Sequence, residues 1–326
     1  MQGRYFIVGG AGFIGSHFCD TLLSEADTGH VTVYDSFQSG KEWHISHHRA
    51  NPRFSVIRGL VEDIDLLAEC MSGHDVVIHL ASNPDIARAA VDPEIDFKAG
   101  TLLTNNVVEA MRRAKTPRKI LYASGSGVYG DTGEVEAHED YVPMTPISTY
   151  GASKLAGEAL ISAYTYMFDM KGISYRFGNV VGPRQTHGVG FDFVRKLSHN
   201  PRELHILGDG RQLKSYIAVS DVVNAVLHAH KTTSDRYSYF NVATGDYVTV
   251  TEIAELACQA MGLEPRQVKF VYAGGDRGWK GDVPIVRLKL DRIAATGWVC
   301  RQPTRVALQE SLAALARELK EHSNDS

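Results

Sequence analysis

Short apolar runs alternate with segments of helical period along the first half of the chain. Tyr5 to Val8, Val31 to Tyr34, Phe54 to Ile57, Val76 to Leu80 and Ile120 to Ala123 are rich in β-branched and aromatic residues and are bounded by turn formers. These runs predict strands. Between them, Gly12 to Ala26 and Asp63 to Met71 repeat apolar residues at helical spacing. Longer helices are expected from Pro93 to Ala114 and from Tyr150 to Phe168, with a further strand from Ser174 to Val181. This order predicts a parallel sheet covered by helices on both faces. After Gly182 the rhythm changes. Leu204 to Leu207 reads as an isolated strand, and Ser215 to His230 reads as strand then helix rejoining the first unit. The remainder mixes short elements and ends in a helix near Arg305 to Leu319. Two interleaved domains are expected, residues 1–178 with 212–244 and residues 179–211 with 245–326. No internal repeat is present.

Composition narrows the class. The 326 residues are 44% apolar and 22% charged, which suffices for a packed core and excludes disorder. The net charge is −4 and no Lys/Arg block stands out, so a nucleic-acid partner is not expected. No apolar run approaches the roughly 20 residues of a membrane span, and no signal-peptide pattern opens the chain. Cys19, Cys70, Cys258 and Cys300 are far apart and show no metal or redox spacing. A reduced, cytoplasmic protein without a membrane partner is the expectation. His44 and His48 share the i,i+4 spacing of metal ligands, with His47 between them, but no carboxylate or cysteine in the segment completes a set. No metal is expected.

The first predicted strand runs into Gly9-Gly10-Ala11-Gly12-Phe13-Ile14-Gly15. Gly9 begins a tight turn, Gly12 lets the backbone approach a pyrophosphate, and Gly15 lets the helix pack on the strand. The helix N-terminus, with Phe13 and Ile14, then faces the phosphates. Asp35 ends the second strand, where a carboxylate accepts hydrogen bonds from an adenosine ribose and repels a 2′-phosphate. This favours NAD over NADP. Further on, Tyr150-Gly-Ala-Ser-Lys154 opens a long helix, and its i,i+4 spacing puts both side chains on one face. A free phenol titrates near 10, and a nearby ammonium favours the phenolate, making a usable base.

Both features together resemble the extended short-chain dehydrogenase/reductase family, specifically its UDP-glucose 4-epimerase-like nucleotide-sugar epimerases and dehydratases. The resemblance spans nearly the whole chain and rests on GGAGFIGSH (Gly9 to His17), HLAS (His79 to Ser82) and SGSGVYG (Ser124 to Gly130). YGASK, RFGNVVGPRQ (Arg176 to Gln185) and GDGRQLKSYIAVSDV (Gly208 to Val222) add to it. It implies a Rossmann doubly wound parallel sheet with a smaller C-terminal α/β substrate domain, bound NAD and a nucleotide-sugar substrate. It also implies a homodimer formed through the two long helices. Tyr150 would be the acid and base at carbon 4, tuned by Lys154, which also holds the nicotinamide ribose. Leu80, Ala81, Ser82 and Ser124 would line the cofactor cleft, and Asn179 would contact the substrate phosphates.

The chain departs from the family pattern at several positions. The family places Ser or Thr four residues before the Tyr of V-Y-G; that position is Gly125, flanked by Ser124 and Ser126. Ser126, Ser124 or a water takes over that hydroxyl, with Ser126 the candidate at the substrate. Family dehydratases carry Asp-Glu next, where this chain has Ser126-Gly127, so epimerisation is favoured over elimination. The family's G-D reads Gly59-Leu60, which leaves Val61 and Asp63 at the adenine. Lys214 replaces a phosphate-binding arginine, and Arg277 precedes Trp279-Lys280-Gly281-Asp282 where the family has R-x-G-D. Lys214 and Arg277 are the expected diphosphate contacts, and Trp279 either stacks on the ligand or is buried. Rival readings are another nucleotide-sugar oxidoreductase (a dehydratase or 2-epimerase) and a weakly catalytic NAD-binding protein.

Overall fold

The structure, a computed structural model, describes residues 2–83, 86–275, 277, 278, 281, 283 and 287–321. Its centre is a parallel sheet. The strands β1 (Gly3–Val8), β2 (Thr28–Asp35), β3 (Phe54–Arg58), β4 (Val76–His79), β5 (Lys119–Gly125) and β6 (Lys171–Phe177) lie in the order 3-2-1-4-5-6. The later strand Tyr237–Val242 extends the sheet beyond β6, also in parallel. The order reverses between β1 and β4, so a crevice opens over the C-terminal ends of those two strands, the Rossmann arrangement.

Buried on both faces, the central strands are mostly apolar, as a parallel sheet between helices requires. The helices α1 (Phe13–Ser24), α2 (Ile64–Met71), α3 (Leu103–Ala114) and α4 (Thr149–Met167) connect the strands. On one face Phe6, Val8, Tyr34, Leu67, Val107 and Ile161 form one core with α2, α3 and α4. On the other, Ile7, Val33, Phe18 and Leu22 pack with α1.

Two expected elements are modified. The strand from Ser174 to Val181 breaks at Gly178. Its first part stays in the sheet, and β7 (Asn179–Val181) turns away toward the second lobe. The helix expected from Pro93 reaches α3 through a π-helical turn, Phe97–Leu102. Such turns widen a helix locally and recur at functional sites. Here the bare Gly100 lets α4 come close; a Cβ there would lie 2.9 Å from the Ser153 Cβ.

The chain then builds α5 (Val189–His199), β8 (Glu203–Ile206), β9 (Leu213–Lys214), β10 (Tyr216–Ala218), α6 (Val219–Thr232) and β11 (the edge strand Tyr237–Val242). It closes with β12 (Val248–Thr249), α7 (Val250–Ala260), β13 (Lys269–Tyr272), α8 (Asp291–Ala294) and α9 (Thr304–Glu321). A second core of Phe193, Leu197, Leu204, Ile253, Leu308 and Leu312 joins α5, α7 and α9. The strand at Leu204 is not isolated, because β8 pairs in parallel with β13. The segment from Ser215 to His230 divides: α6 rejoins the first core through Val222 and Val226, while β10 pairs with β7.

Arg176 of β6 and Glu158 of α4 form a buried pair at 2.7 Å. Ser124 Oγ donates to Glu158 at 2.6 Å, and Arg176 also donates to Tyr129 Oη and the Glu139 carbonyl, both at 2.8 Å. Each charge is thus fully hydrogen-bonded. Arg176→Met leaves the buried Glu158 carboxylate without a counter-charge and is expected to cost about 3–5 kcal/mol in equilibrium urea unfolding. A cost under about 1 kcal/mol contradicts this reading of the pair.

Candidate active site

The chain turns at the end of β1 through Gly9, whose φ is +84°. Leu80 and Ala81 N–H both donate to the Val8 carbonyl, at 2.9 and 3.1 Å, so the end of β4 lies directly against the turn. A Cβ on Gly9 would sit 2.8 Å from Ala81 N, and one on Gly15 would collide with the Gly9 carbonyl oxygen. Gly12 caps α1 with no side-chain bond, and no acidic residue stands in the first turn. The exposed amides and positive end of α1 therefore face an open cradle, in which a Cβ on Gly12 would meet only the Gly9 oxygen at 3.3 Å. That geometry fits a dinucleotide pyrophosphate.

Asp35 closes the adenosine side. Its Oδ2 accepts from Ala11 N–H at 2.9 Å and its Oδ1 from Phe37 N–H at 2.8 Å. Burial raises its pKa, against these two amides and the Arg58 charge. Each oxygen retains a lone pair for a ribose hydroxyl. The Val61 side chain packs in the core with Tyr34 and Met71, and the Val61 carbonyl accepts from Asn106, whereas Leu60 is half exposed.

Ser148 caps α4 by accepting from Gly151 N–H at 3.1 Å. Lys154, 3% exposed, donates to the Ala123 carbonyl of β5 at 2.8 Å. Its Nζ lies 5.2 Å from the Tyr122 ring centre and 5.4 Å from that of Tyr150. Burial lowers the Lys154 pKa to about 8, with the Asp96 charge opposing it. Burial pushes Tyr150 up to about 12; the Ser82 hydroxyl beside it lowers it in part and Asp96 raises it further. Ser82 Oγ is buried and has no hydrogen-bond partner of ordinary geometry. His79 of the HLAS motif is a core residue. It meets Thr104 Oγ1 at 3.1 Å, and burial with the Lys154 charge drops its pKa to about 3.

The structure separates the two serines around Gly125. The Ser124 hydroxyl joins the Glu158 network. Ser126 begins the turn Ser126–Tyr129, is half-buried, and among the described residues no hydrogen bond holds its hydroxyl. That turn meets α4 by backbone, since a Cβ on Gly151 would collide with the Gly127 carbonyl. Ser126 and Tyr150 are each next in sequence to one of these glycines. Gly125 is in extended backbone, and a Cβ there meets nothing closer than the Phe177 oxygen at 4.0 Å. A hydroxyl side chain would fit at that position.

Asn179 is exposed and donates to the Ser215 carbonyl at 3.0 Å. Lys214 Nζ donates to the Val283 carbonyl at 2.6 Å, and Arg277 pairs with Asp131 at 2.8 Å. A Cβ on Gly208 would lie 3.2 Å from the Arg277 oxygen, so Arg277 borders the GDGRQ turn. Trp279, Lys280 and Asp282 lie outside the described residues. The His44 and His48 spacing is broken up. His44 Nδ1 meets the Ala11 carbonyl, while His47 and His48 both meet Asp20 Oδ1, at 2.8 and 2.7 Å. Asp20, from α1, also pairs with Arg184 and is held near pKa 2 despite its burial. These three residues form the group His47, His48 and Asp20 that local spacing could not show.

Sequence reasoning missed Asp96, Glu158 and Arg176. Glu158 continues the Tyr150–Lys154 stripe by another turn, and Arg176 interrupts an apolar strand; both signals were present. Asp96 gave no such signal.

The chain belongs to the NAD dependent epimerase/dehydratase family, whose model matches residues 5–243. It is 31% identical over 318 residues to a UDP-glucose 4-epimerase of Mycolicibacterium smegmatis, covering 95% of this chain and 96% of that one. It is 30% identical over 291 residues to a dTDP-glucose 4,6-dehydratase of an Actinoplanes species, covering 86% and 89%. A crystal structure of UDP-galactose 4-epimerase matches with a TM-score of 0.85 at 34% identity, covering 97% of this chain and 99% of that chain. Relatives of both reactions are thus about equally similar. No helix among the described residues is long and apolar enough to cross a membrane.

Gly15→Ala forces the turn apart and is expected to weaken NAD binding by about tenfold or more in calorimetric titration. Affinity within about twofold of the native protein contradicts the assignment of the cradle.

Proposed function

We propose that this chain catalyses the NAD-dependent epimerisation of a nucleotide-activated sugar at carbon 4. The observation that carries the reading is the arrangement beside Tyr150 and Lys154: the adjoining turn is Ser126-Gly127 and brings no carboxylate for elimination. The glycine cradle and Asp35 hold NAD, and Asn179, Lys214 and Arg277 bind the diphosphate of the substrate.

NAD, when bound, would supply the hydride chemistry that a 4-keto route to the epimer requires at carbon 4. Tyr150 Oη takes the proton of the carbon-4 hydroxyl and later gives it back. The buried ammonium of Lys154 favours the phenolate, opposing the burial that otherwise keeps the phenol protonated. Ser126 donates to the reacting oxygen in the role that Gly125 vacates. The second lobe holds the nucleotide while the keto sugar turns over. A homodimer through α3 and α4 belongs to the same proposal, and Tyr166 and Met167 of α4 are 68% and 71% exposed.

Incubation with UDP-, dTDP- and GDP-hexoses, followed by chromatography and mass spectrometry, is expected to yield a product isomeric with one substrate. A product lighter by water or carbon dioxide overturns the reading. Tyr150→Phe is expected to lower turnover by about 100-fold or more with NAD still bound. Ser126→Ala lowers turnover with NAD content unchanged, and Gly125→Ser in that background restores it; unchanged turnover in Ser126→Ala dismisses that residue. Because Lys154 loses its proton through about pH 8, turnover falls as the pH rises past that value. A profile flat to pH 10 contradicts the role given to Lys154.

A further inference from the structure

Asp96 is a carboxylate with 1% exposure that forms no ion pair within 4 Å among the described residues. It stands at the start of the π-helical turn before α3. Its Oδ1 accepts from Asn83 Nδ2 at 2.9 Å and its Oδ2 from Thr149 Oγ1 at 2.7 Å. Asn83 follows Ser82, and Thr149 precedes Tyr150. One carboxylate therefore spans the end of β4 and the first turn of α4, at the residues flanking the two hydroxyls that face each other. A buried charge needs a counter-charge. Buried Lys154 is a cation of this region; it has one carbonyl and two aromatic faces around it and, among the described residues, no carboxylate in contact.

We propose that Asp96 is a positioning residue for the Tyr150–Lys154 pair, fixing the approach of Ser82 to the Tyr150 phenol and serving as the buried counter-charge of the Lys154 ammonium. This rests on the catalytic roles given to Tyr150 and Lys154 above. The negative field of Asp96 holds protons on both groups, offsetting for Lys154 the loss caused by burial. Among the described residues, the other titratable groups around the pair have partners or environments of their own. His79 on β4 is kept neutral, Tyr122 on β5 is kept protonated by burial, and Glu158 one turn further along α4 is taken by Arg176. Lys98 on the π turn pairs with Glu94 at the surface, and Arg88 is exposed.

The test compares native protein, Asp96→Asn and Thr149→Val, each loaded with NAD. Tyr150 ionisation is followed by tyrosinate ultraviolet absorbance, with Tyr150→Phe as the blank, and turnover is measured against pH. Asp96→Asn keeps the shape and removes the charge, so the ionisation midpoint and the fall of turnover at high pH both move to lower pH by about half a unit or more. Thr149→Val keeps the charge and loosens the geometry, so turnover falls severalfold without moving the midpoint. An unmoved midpoint in soluble, folded Asp96→Asn overturns the proposal, as does native turnover in both variants. The absorbance arm needs no substrate. A native protein inert toward every nucleotide sugar whose Tyr150 midpoint still moves in Asp96→Asn defeats the epimerase reading and leaves the Asp96 assignment standing.

Discussion

Everything at the site is referenced to how closely α4 can approach the sheet. The helix meets the Ser126–Tyr129 turn with backbone against backbone at Gly127 and Gly151, where a methyl group would force the two apart. Further along, Gly157 leaves no more than the space needed for the Tyr122 ring, and the bare Gly100 receives Ser153. Because those distances are set by absent side chains, they are stiff: close-packed interiors transmit small displacements instead of absorbing them. The seat of α4 brings Lys154 within hydrogen-bond reach of Ala123.

The same seat explains why so much charge is buried here. Lys154, Asp96, Glu158 and Arg176 are all almost inaccessible, yet they serve two separate ends. Glu158 and Arg176 are directly paired and complete with hydrogen bonds, an arrangement that locks α4 to β6. Lys154 and Asp96 are held apart by their own hydrogen bonds. The Asp96 charge raises the Tyr150 pKa, and in the proposed mechanism the unpaired lysine is left to favour the phenolate. Pairing them would have neutralised the effect that proton transfer requires.

Much of this was legible along the chain wherever a feature is local. The glycine turn, Asp35 at a strand end and the Tyr150–Lys154 stripe depend on spacings of a few residues, and the strand–helix alternation carries the parallel sheet. Features that join distant segments were not legible. Asp96 meets Asn83 and Thr149 only after the sheet has aligned three connections, and Asp20 reaches His47 and His48 only across α1. The choice between Ser124 and Ser126 was open for a different reason. Side chains alternate along a strand, so residues two apart should share a face. But β5 ends at Gly125 and a tight turn starts at Ser126, which breaks the alternation and sends the two hydroxyls to different surroundings. The break of the strand at Gly178 likewise follows from the second lobe's need for β7 beside β10, a demand with no trace in the local period.

The central claim is that one tyrosine on α4, tuned by buried charge, moves a proton while hydride leaves and re-enters carbon 4 within a closed site. It is tested most directly with a nucleotide hexose carrying deuterium at carbon 4, turned over in ordinary water and followed by NMR. The account predicts that substrate and product epimer both keep the label at carbon 4. Loss of the label to water, or its appearance at another carbon, would contradict it.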